Sequence, residues 1–518
     1  MPYFNLGMSI GGIWTGSAWL VYYARNGFDS ADWKSSLLEI WKNPTALLLL
    51  GIFIIHLVGI TYSEDQKHAG ADVLIKLPLL VFPFTMASMP EKMASWRKTI
   101  ENAFILSVFS AVLLISVNYL LNIEIYPNSR DAHMFTSHIR FGLMCALAFA
   151  LLIQRIFDNG YSKKSVFYIF ILGCFGIYYL LMQNMTGLVC SAFVVVIGVL
   201  MYPEKYGKRT RYILQGFVVL TLLISSAIIW KSVNDYFPDV VPAKGSLEVY
   251  SPEGTMYAHH WGDSQVENGH LVWYYIAWPE LERSWNDRSH LDFGGKDEMG
   301  QPLYATIVRY MSSKGLKKDA SSLSQLSDED IQAIERGTTN CEDHLRSGFE
   351  FRTQQILFEI NAYLNGANPS GNSLTQRLEF WKAGMHIIRK NPVIGCGTGD
   401  LRQEFALAYD EMNSQLDSSV RHRAHNQFMS ICIAFGLVGL IYFVAALILP
   451  FFLNKARSRN FTYVAFFSII CLSFLSEDTL ETQAGVTFFA FFIAYLLLFP
   501  SAKASTRDTT SSTEISNP

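Results

Sequence analysis

Apolar runs of spanning length constrain this chain more than any other feature. A helix needs roughly 20 mostly apolar residues to cross a bilayer. Runs of about that length lie near residues 4–23, 45–62, 71–90, 101–122, 139–157, 165–182, 185–202, 212–230, 426–453, 461–476 and 483–500. In lipid every backbone N–H and C=O must be paired within the protein, and helices do this with each span on its own. The sequence therefore predicts an all-α polytopic membrane protein of about 11–12 transmembrane helices. Only 16 % of its 518 residues are charged, against about a quarter in soluble domains. The pair at 165–182 and 185–202 is joined by only Gln183-Asn184, so a tight reversal is required.

The runs are interrupted once, between Trp230 and His425. This divides the chain into spans one to eight (1–230), a large polar insert (231–425), spans nine to eleven (426–500) and a tail (501–518). The Ser/Thr-rich tail lacks the apolar residues to build a core and reads as disordered. No signal peptide with a cleavage site is evident, so the first span acts as its own targeting signal.

Orientation follows from Lys and Arg in the short loops. One set of loops holds Arg25, Lys34 and Lys42; Lys92, Arg97 and Lys98; Arg155, Lys163 and Lys164; Lys205, Lys208, Arg209 and Arg211; and Lys455, Arg457 and Arg459, with Lys503 and Arg507 in the tail. The opposite set holds little beyond Lys67 and Arg130. The basic loops are read as cytoplasmic and the insert as extracytoplasmic. Eleven spans with the C-terminus inside place Met1 outside, so either a span precedes this chain or the first run does not cross.

Within the insert, Asn234 to Gly315 is rich in Trp, Tyr, Gly and Asp without clear periodicity, and no alternation is strong enough for a sheet. Helical patterns follow. Ser327-Asp328-Glu329-Asp330 has the form of a capping box; further helices are expected over Phe351–Leu364, Leu374–Arg389 and from Asp400 to about Met412. A net charge of −3 gives no reason to expect nucleic acid. Five of the seven cysteines lie in apolar runs; Cys341 and Cys396 lie in the insert and can pair only if it faces an oxidising compartment. His259, His260 and His270 lack the spacing of a zinc site.

Three clusters carry possible chemistry. Arg421-His422-Arg423-Ala424-His425-Asn426 stands at the outer end of the ninth span. Ser137-His138-Ile139-Arg140 stands at the outer end of the fifth, placing Arg140 near the membrane, where ionisable groups are costly and usually functional. The third runs from Thr375-Gln376-Arg377 through Trp381 to the turn Gly395-Cys396-Gly397-Thr398-Gly399-Asp400. Each also has a structural reading: His425 bonded at a helix end, Asn426 as its N-cap, Gly436 and Gly439 as packing glycines, Arg421 and Arg423 as interface anchors. Lys76 and His56 fall inside apolar runs, Lys76 either paired or snorkelling. Glu477 and Asp478 are expected in the outer loop after the tenth span.

Arginine forks at the outer surface suit a phosphate, and a neutral histidine can take a proton from an attacking hydroxyl. The scheme requires neither metal nor cofactor.

His425-Asn426 followed by Gly436 and Gly439, preceded by Arg377, Trp381 and Asn391-Pro392-x-x-Gly395-x-Gly397-x-Gly399, resembles the O-antigen ligase and O-antigen polymerase superfamily. The resemblance is strongest from Thr375 to Gly439, and the layout of spans with one large outer loop before the last three is also similar. It implies glycan transfer from undecaprenyl diphosphate to a lipid A-core acceptor, at the periplasmic face of the inner membrane. His425 would then activate or position the acceptor. Arg140, Arg377, Arg421 and Arg423, with Asn426 and His138, would serve the diphosphate or the acceptor; Trp381 and the glycines would shape the site. The Ser-Arg pair that this family often has near the seventh span is absent, and Asn184-Met185-Thr186-Gly187 stands there. The stretch Asn234 to Glu350 is longer than a minimal member needs and suits acceptor choice. Alternatives within the superfamily are a repeat-unit polymerase and a protein O-oligosaccharyltransferase. Outside it, a transporter of lipid-linked sugars predicts inverted repeats and discontinuous helices, neither of which is read in the sequence. A purely binding membrane protein predicts that His425 is dispensable.

Overall fold

The computed structural model describes residues 38–500 except 90, 127–128, 135, 161, 202–206, 237–246, 262–264 and 344–347, together with Ser17, Trp19, Val21 and Ala24. The run at 4–23 and the tail at 501–518 lie outside or largely outside the described residues. The protein is an all-α polytopic membrane protein. Six helices are long and apolar enough to cross a bilayer, and four shorter apolar helices accompany them among the described residues. These ten fall on the ten runs expected after the first. The chain forms two compact units: Met1–Gln215 with Phe380–Ser414 and Arg421–Pro518, and Gly216–Glu379 with Gln415–Val420.

The membrane unit begins with α1 (Pro44–Ile60), α2 (Gln66–Lys76), α3 (Pro78–Ala87), α4 (Arg97–Leu121), α5 (His138–Asn159), α6 (Lys163–Leu181) and α7 (Met185–Met201). Local chemistry sets several of their ends. Asn43 Oδ1 accepts from the N–H groups of Thr45 and Ala46 at 3.1 and 3.2 Å, with Pro44 at the first helical position, where its missing N–H costs nothing. The reversal between α6 and α7 is as tight as the sequence requires. Gln183 turns it with φ of 50°. Asn184 then accepts from Gly187 N–H at 2.9 Å and donates to the His138 carbonyl at 2.9 Å, tying α7 to the start of α5. A structural duty thus occupies the position where the family often has its Ser-Arg pair. α8 (Gly207–Tyr236) leads out of this unit.

The second unit holds α9 (Trp278–Asn286), α10 (Leu303–Ser313), α11 (Ala320–Leu323), α12 (Asp328–Glu335) and α13 (Gly348–Leu364), with a two-stranded hairpin of Val266–Glu267 and His270–Leu271. Its core is built on Val272, Leu281, Trp285, Ile307, Met311 and Ile331, all buried. The capping box forms: Ser327 and Asp330 exchange side-chain to backbone bonds at the start of α12. His259 Nδ1 accepts from Tyr275 N–H at 3.2 Å. Cys341 and Cys396 are both free thiols.

The chain continues through α14 (Ser373–Lys390), α15 (Leu401–Glu411), α16 (Gln427–Leu453), the short α17 (Lys455–Ser458), α18 (Phe461–Ser476) and α19 (Gln483–Leu497). One apolar helix is interrupted, without charged residues at the break. α16 breaks at Gly436, which has φ of 62° and ψ of −165°. The break leaves backbone groups unpaired inside an apolar run, and the segment 392–397 pairs them. Cys396 and Gly397 donate to the carbonyls of Ile433 and Ala434 at 2.9 Å each, while Leu437 and Val438 donate to Pro392 and Val393 at 2.8 and 3.3 Å. This is what the Asn-Pro-x-x-Gly-x-Gly-x-Gly stretch does in the fold. A Cβ on Gly395 would strike the Ala434 backbone, and one on Gly399 the Asp65 carbonyl. Asp400 closes the turn, accepting from the N–H groups of Glu64 and Asp65 at 2.9 and 2.8 Å.

Candidate functional site

The site is built where α5 and α16 begin and α18 ends. Asn426 caps α16: its Oδ1 accepts from Met429 N–H at 3.0 Å and its Nδ2 donates to the Leu475 carbonyl at 3.1 Å. Both ends of that amide are thereby engaged in structure. The residue before it, His425, has φ of 46°, a left-handed conformation uncommon outside glycine. Such a backbone persists only when its surroundings over-determine it. Here Asp478 does so, accepting from the backbone N–H groups of His425 at 3.1 Å and Asn426 at 3.0 Å, and from the Ser430 hydroxyl at 2.7 Å.

Two further segments hold the stretch of residues 421–425. The Trp381 indole donates to the Ala424 carbonyl at 3.0 Å, and the Tyr409 hydroxyl donates to the His422 carbonyl at 2.6 Å. Phe380 packs its ring against those of His422 and His425 at centroid distances of 5.9 and 5.6 Å. Trp381 therefore acts on His425 through the backbone. Gly439, in the second half of α16, lies tight against Phe435.

The electrostatics centre on Glu477, Asp478 and Glu481, which follow α18. Sequence reasoning put Glu477 and Asp478 in an outer loop; they do follow the span, but they are buried. Glu477 Oε2 stands 3.1 Å from Arg140 Nη1 and 3.5 Å from His425 Nδ1, so one carboxylate faces both. Arg140 Nη2 also donates to the Asp478 carbonyl at 3.4 Å. Arg140 Nε and His425 Nδ1 are buried without a hydrogen-bond partner. Burial pushes the Asp478 carboxyl above its usual range, outweighing the Ser430 hydroxyl and Arg423. For Glu481 burial acts in the same direction, but Lys76 and Arg423 outweigh it and hold the carboxyl well below the usual range. Lys76 Nζ, fully buried, lies 2.9 Å from Glu481 and 3.0 Å from Asp72, so it is paired. Burial, with His425 nearby, lowers His422 from the ordinary imidazole range.

The remaining predicted residues are distributed as follows. Arg423 Nη1 lies 3.3 Å from Glu481 and remains partly exposed. Arg421 turns to Asp410 at 2.7 Å and over the Tyr409 ring. His138 opens α5 with its ring 6.0 Å from that of His133. Arg377 lies one turn before Trp381 on α14, in the part that belongs to the second unit. The structure thus gathers His425, Arg140 and Arg423 around acidic residues that sequence reasoning did not single out. Their signal was available: Glu477-Asp478-Thr479-Leu480-Glu481-Thr482 concentrates three acids in a six-residue link between spans.

Removing the anchor tests this arrangement. Asp478→Ala leaves two backbone N–H groups and a hydroxyl without their acceptor, so it should lower stability by about 1–3 kcal/mol and free His425 from its left-handed conformation. Thermal unfolding in detergent, with histidine NMR as a readout of ring mobility, checks both effects.

No curated protein matches the chain. Residues 348–444 match the family model described as O-antigen ligase. The matched stretch contains Trp381, the glycine turn, His425-Asn426 and the break at Gly436, so over these residues the chain is similar to that family.

Proposed function

We propose that the protein is a glycosyltransferase that moves a glycan from undecaprenyl diphosphate to a lipid A-core acceptor at the periplasmic face of the inner membrane. The observation that carries this reading is the convergence of a guanidinium, a carboxylate and an imidazole at Arg140, Glu477 and His425. Orientation is supported by charge: the ends of the spans opposite the site carry the basic loops, which the positive-inside rule assigns to the cytoplasm.

In the proposed reaction the acceptor hydroxyl attacks the anomeric carbon and the bond to the diphosphate oxygen breaks. The hydroxyl proton goes to His425. The negative charge left on the diphosphate is met by Arg140, with Arg423 as a further candidate. Arg421 is proposed as a secondary contact. Glu477 links the two halves: a diphosphate that engages Arg140 competes with this carboxylate, which already faces His425 Nδ1 and then stabilises the imidazolium. Glu477→Gln should therefore lower turnover roughly 10–100-fold, the worth of one to two pKa units, while donor KM stays the same or falls. A donor KM that rises in step with lost turnover contradicts this role.

The function is tested by the cell-surface glycan profile of a deletion strain complemented with the wild-type chain. Loss of glycan-bearing lipopolysaccharide in the deletion, with long polyprenyl-linked glycan accumulating, supports a ligase. Accumulation of single repeat units, or of lipopolysaccharide capped by one, replaces it with a repeat-unit polymerase.

A further inference from the structure

The opposite end of the membrane unit carries a second arginine cluster that glycan transfer does not use. α5 bears Arg140 in its first turn and Arg155 near its end, about 22 Å apart at 1.5 Å per residue. Arg97, which opens α4, shares a carboxylate with Arg155, and Arg457 on α17 lies within electrostatic reach of Arg97. The Arg97 guanidinium lies 4.8 Å from the Tyr495 ring centroid. Arg155 Nη1 donates to Asn102 Oδ1 at 2.6 Å, and Arg457 Nη1 donates to the Phe499 carbonyl at 2.7 Å. Glu101 is the carboxylate that the described residues place against this group, 3.6 Å from Arg97 and 3.5 Å from Arg155. The Tyr495 hydroxyl also draws on Glu101, at 3.0 Å. Two guanidiniums thus share one carboxylate, and Arg457, close enough to feel the charge of Arg97, adds a third cation to the group.

All three side chains are half-buried. Burial, together with the charge of Arg97, lowers Arg457 to about 10. Withdrawing cations from water without a counter-charge is costly, and planar guanidinium forks match phosphate oxygens two at a time. The rim is apolar. Trp96 beside Arg97 is 58 % exposed, and Phe452 and Leu453, ahead of Arg457, are 66 % and 48 % exposed. A soluble anion has no use for such a rim, whereas acyl chains do. We propose that Arg97, Arg155 and Arg457 form a binding site for the phosphate of an anionic phospholipid in the leaflet opposite the His425 site.

The test uses the full chain in nanodiscs of phosphatidylcholine with and without phosphatidylglycerol, read by thermal unfolding and by lipid retained in native mass spectrometry. Phosphatidylglycerol should raise the unfolding temperature, and inorganic phosphate at matched concentration should not. Arg457→Gln should weaken phosphatidylglycerol retention roughly fivefold, the worth of one arginine near an anionic surface. Arg283→Gln, in the second unit, should leave retention unchanged. Glu101→Gln removes the competing carboxylate, so it should strengthen retention; this keeps the test decisive if Arg457→Gln does not fold. Equal stabilisation by inorganic phosphate would assign the cluster to a soluble anion and overturn the lipid site. Retention that is indifferent to both Arg457→Gln and Glu101→Gln would overturn it as well.

Discussion

If His425 is the general base proposed above, His425→Ala is expected to lower glycan transfer by roughly 10²–10⁴-fold, the range that a positioned general base contributes, while the protein remains folded and present at wild-type abundance. The expectation of intact folding has a structural basis. The bonds that anchor residue 425 run from backbone N–H groups to Asp478, and alanine keeps both. The side chain, by contrast, faces the Glu477 carboxylate at 3.5 Å and the Phe380 ring without a hydrogen bond at Nδ1, so its removal leaves the anchoring backbone bonds in place. Quantifying glycan-bearing lipopolysaccharide at matched expression checks the first part, and a melting curve the second. Activity retained above a tenth of wild type would return His425 to a helix-end role.

The second large effect concerns the break in α16. Gly436→Ala places a Cβ against the Val393 backbone at a φ of 62°, combining left-handed strain with overpacking against main chain that cannot swing aside. The expected cost is roughly 2–4 kcal/mol, visible as a lowered unfolding temperature and reduced yield. Because the break and the 392–397 segment pair each other's backbone groups, Gly395→Ala should fail in the same way. Gly176→Ala is the matched control: it lies in α6 with open space around it and should be close to neutral. Equal behaviour of Gly436→Ala and Gly176→Ala would mean that α16 can run unbroken.

These two features differ in how far the sequence disclosed them. The spans could be read because lipid admits one dominant solution for long apolar runs, and Asn426 because an amide before such a run is a strong N-cap. The break at Gly436 could not be read from α16 itself, where a glycine in a 27-residue apolar helix is indistinguishable from a packing glycine. Its partner is the spaced glycine turn at 395–399, and that pairing exists only in three dimensions. The acidic half of the site was hidden for a different reason. Acids in a short link between spans read as solvated, and only their burial against Lys76, Arg140 and Arg423 gives them weight. Arg421 and Arg423 stand two residues apart in one motif, yet only Arg423 joins the Glu481 network, while Arg421 pairs with Asp410. Spacing alone does not decide such a difference.

The central claim is tested most directly by reconstitution. The purified full chain is supplied with undecaprenyl-diphosphate-linked glycan and a lipid A-core acceptor, and released undecaprenyl diphosphate is measured together with glycan on the acceptor. The account predicts that both products appear in equal amounts with the wild-type chain and that neither appears with His425→Ala. Donor left intact by the wild-type chain, or transfer that proceeds equally with His425→Ala, would contradict it.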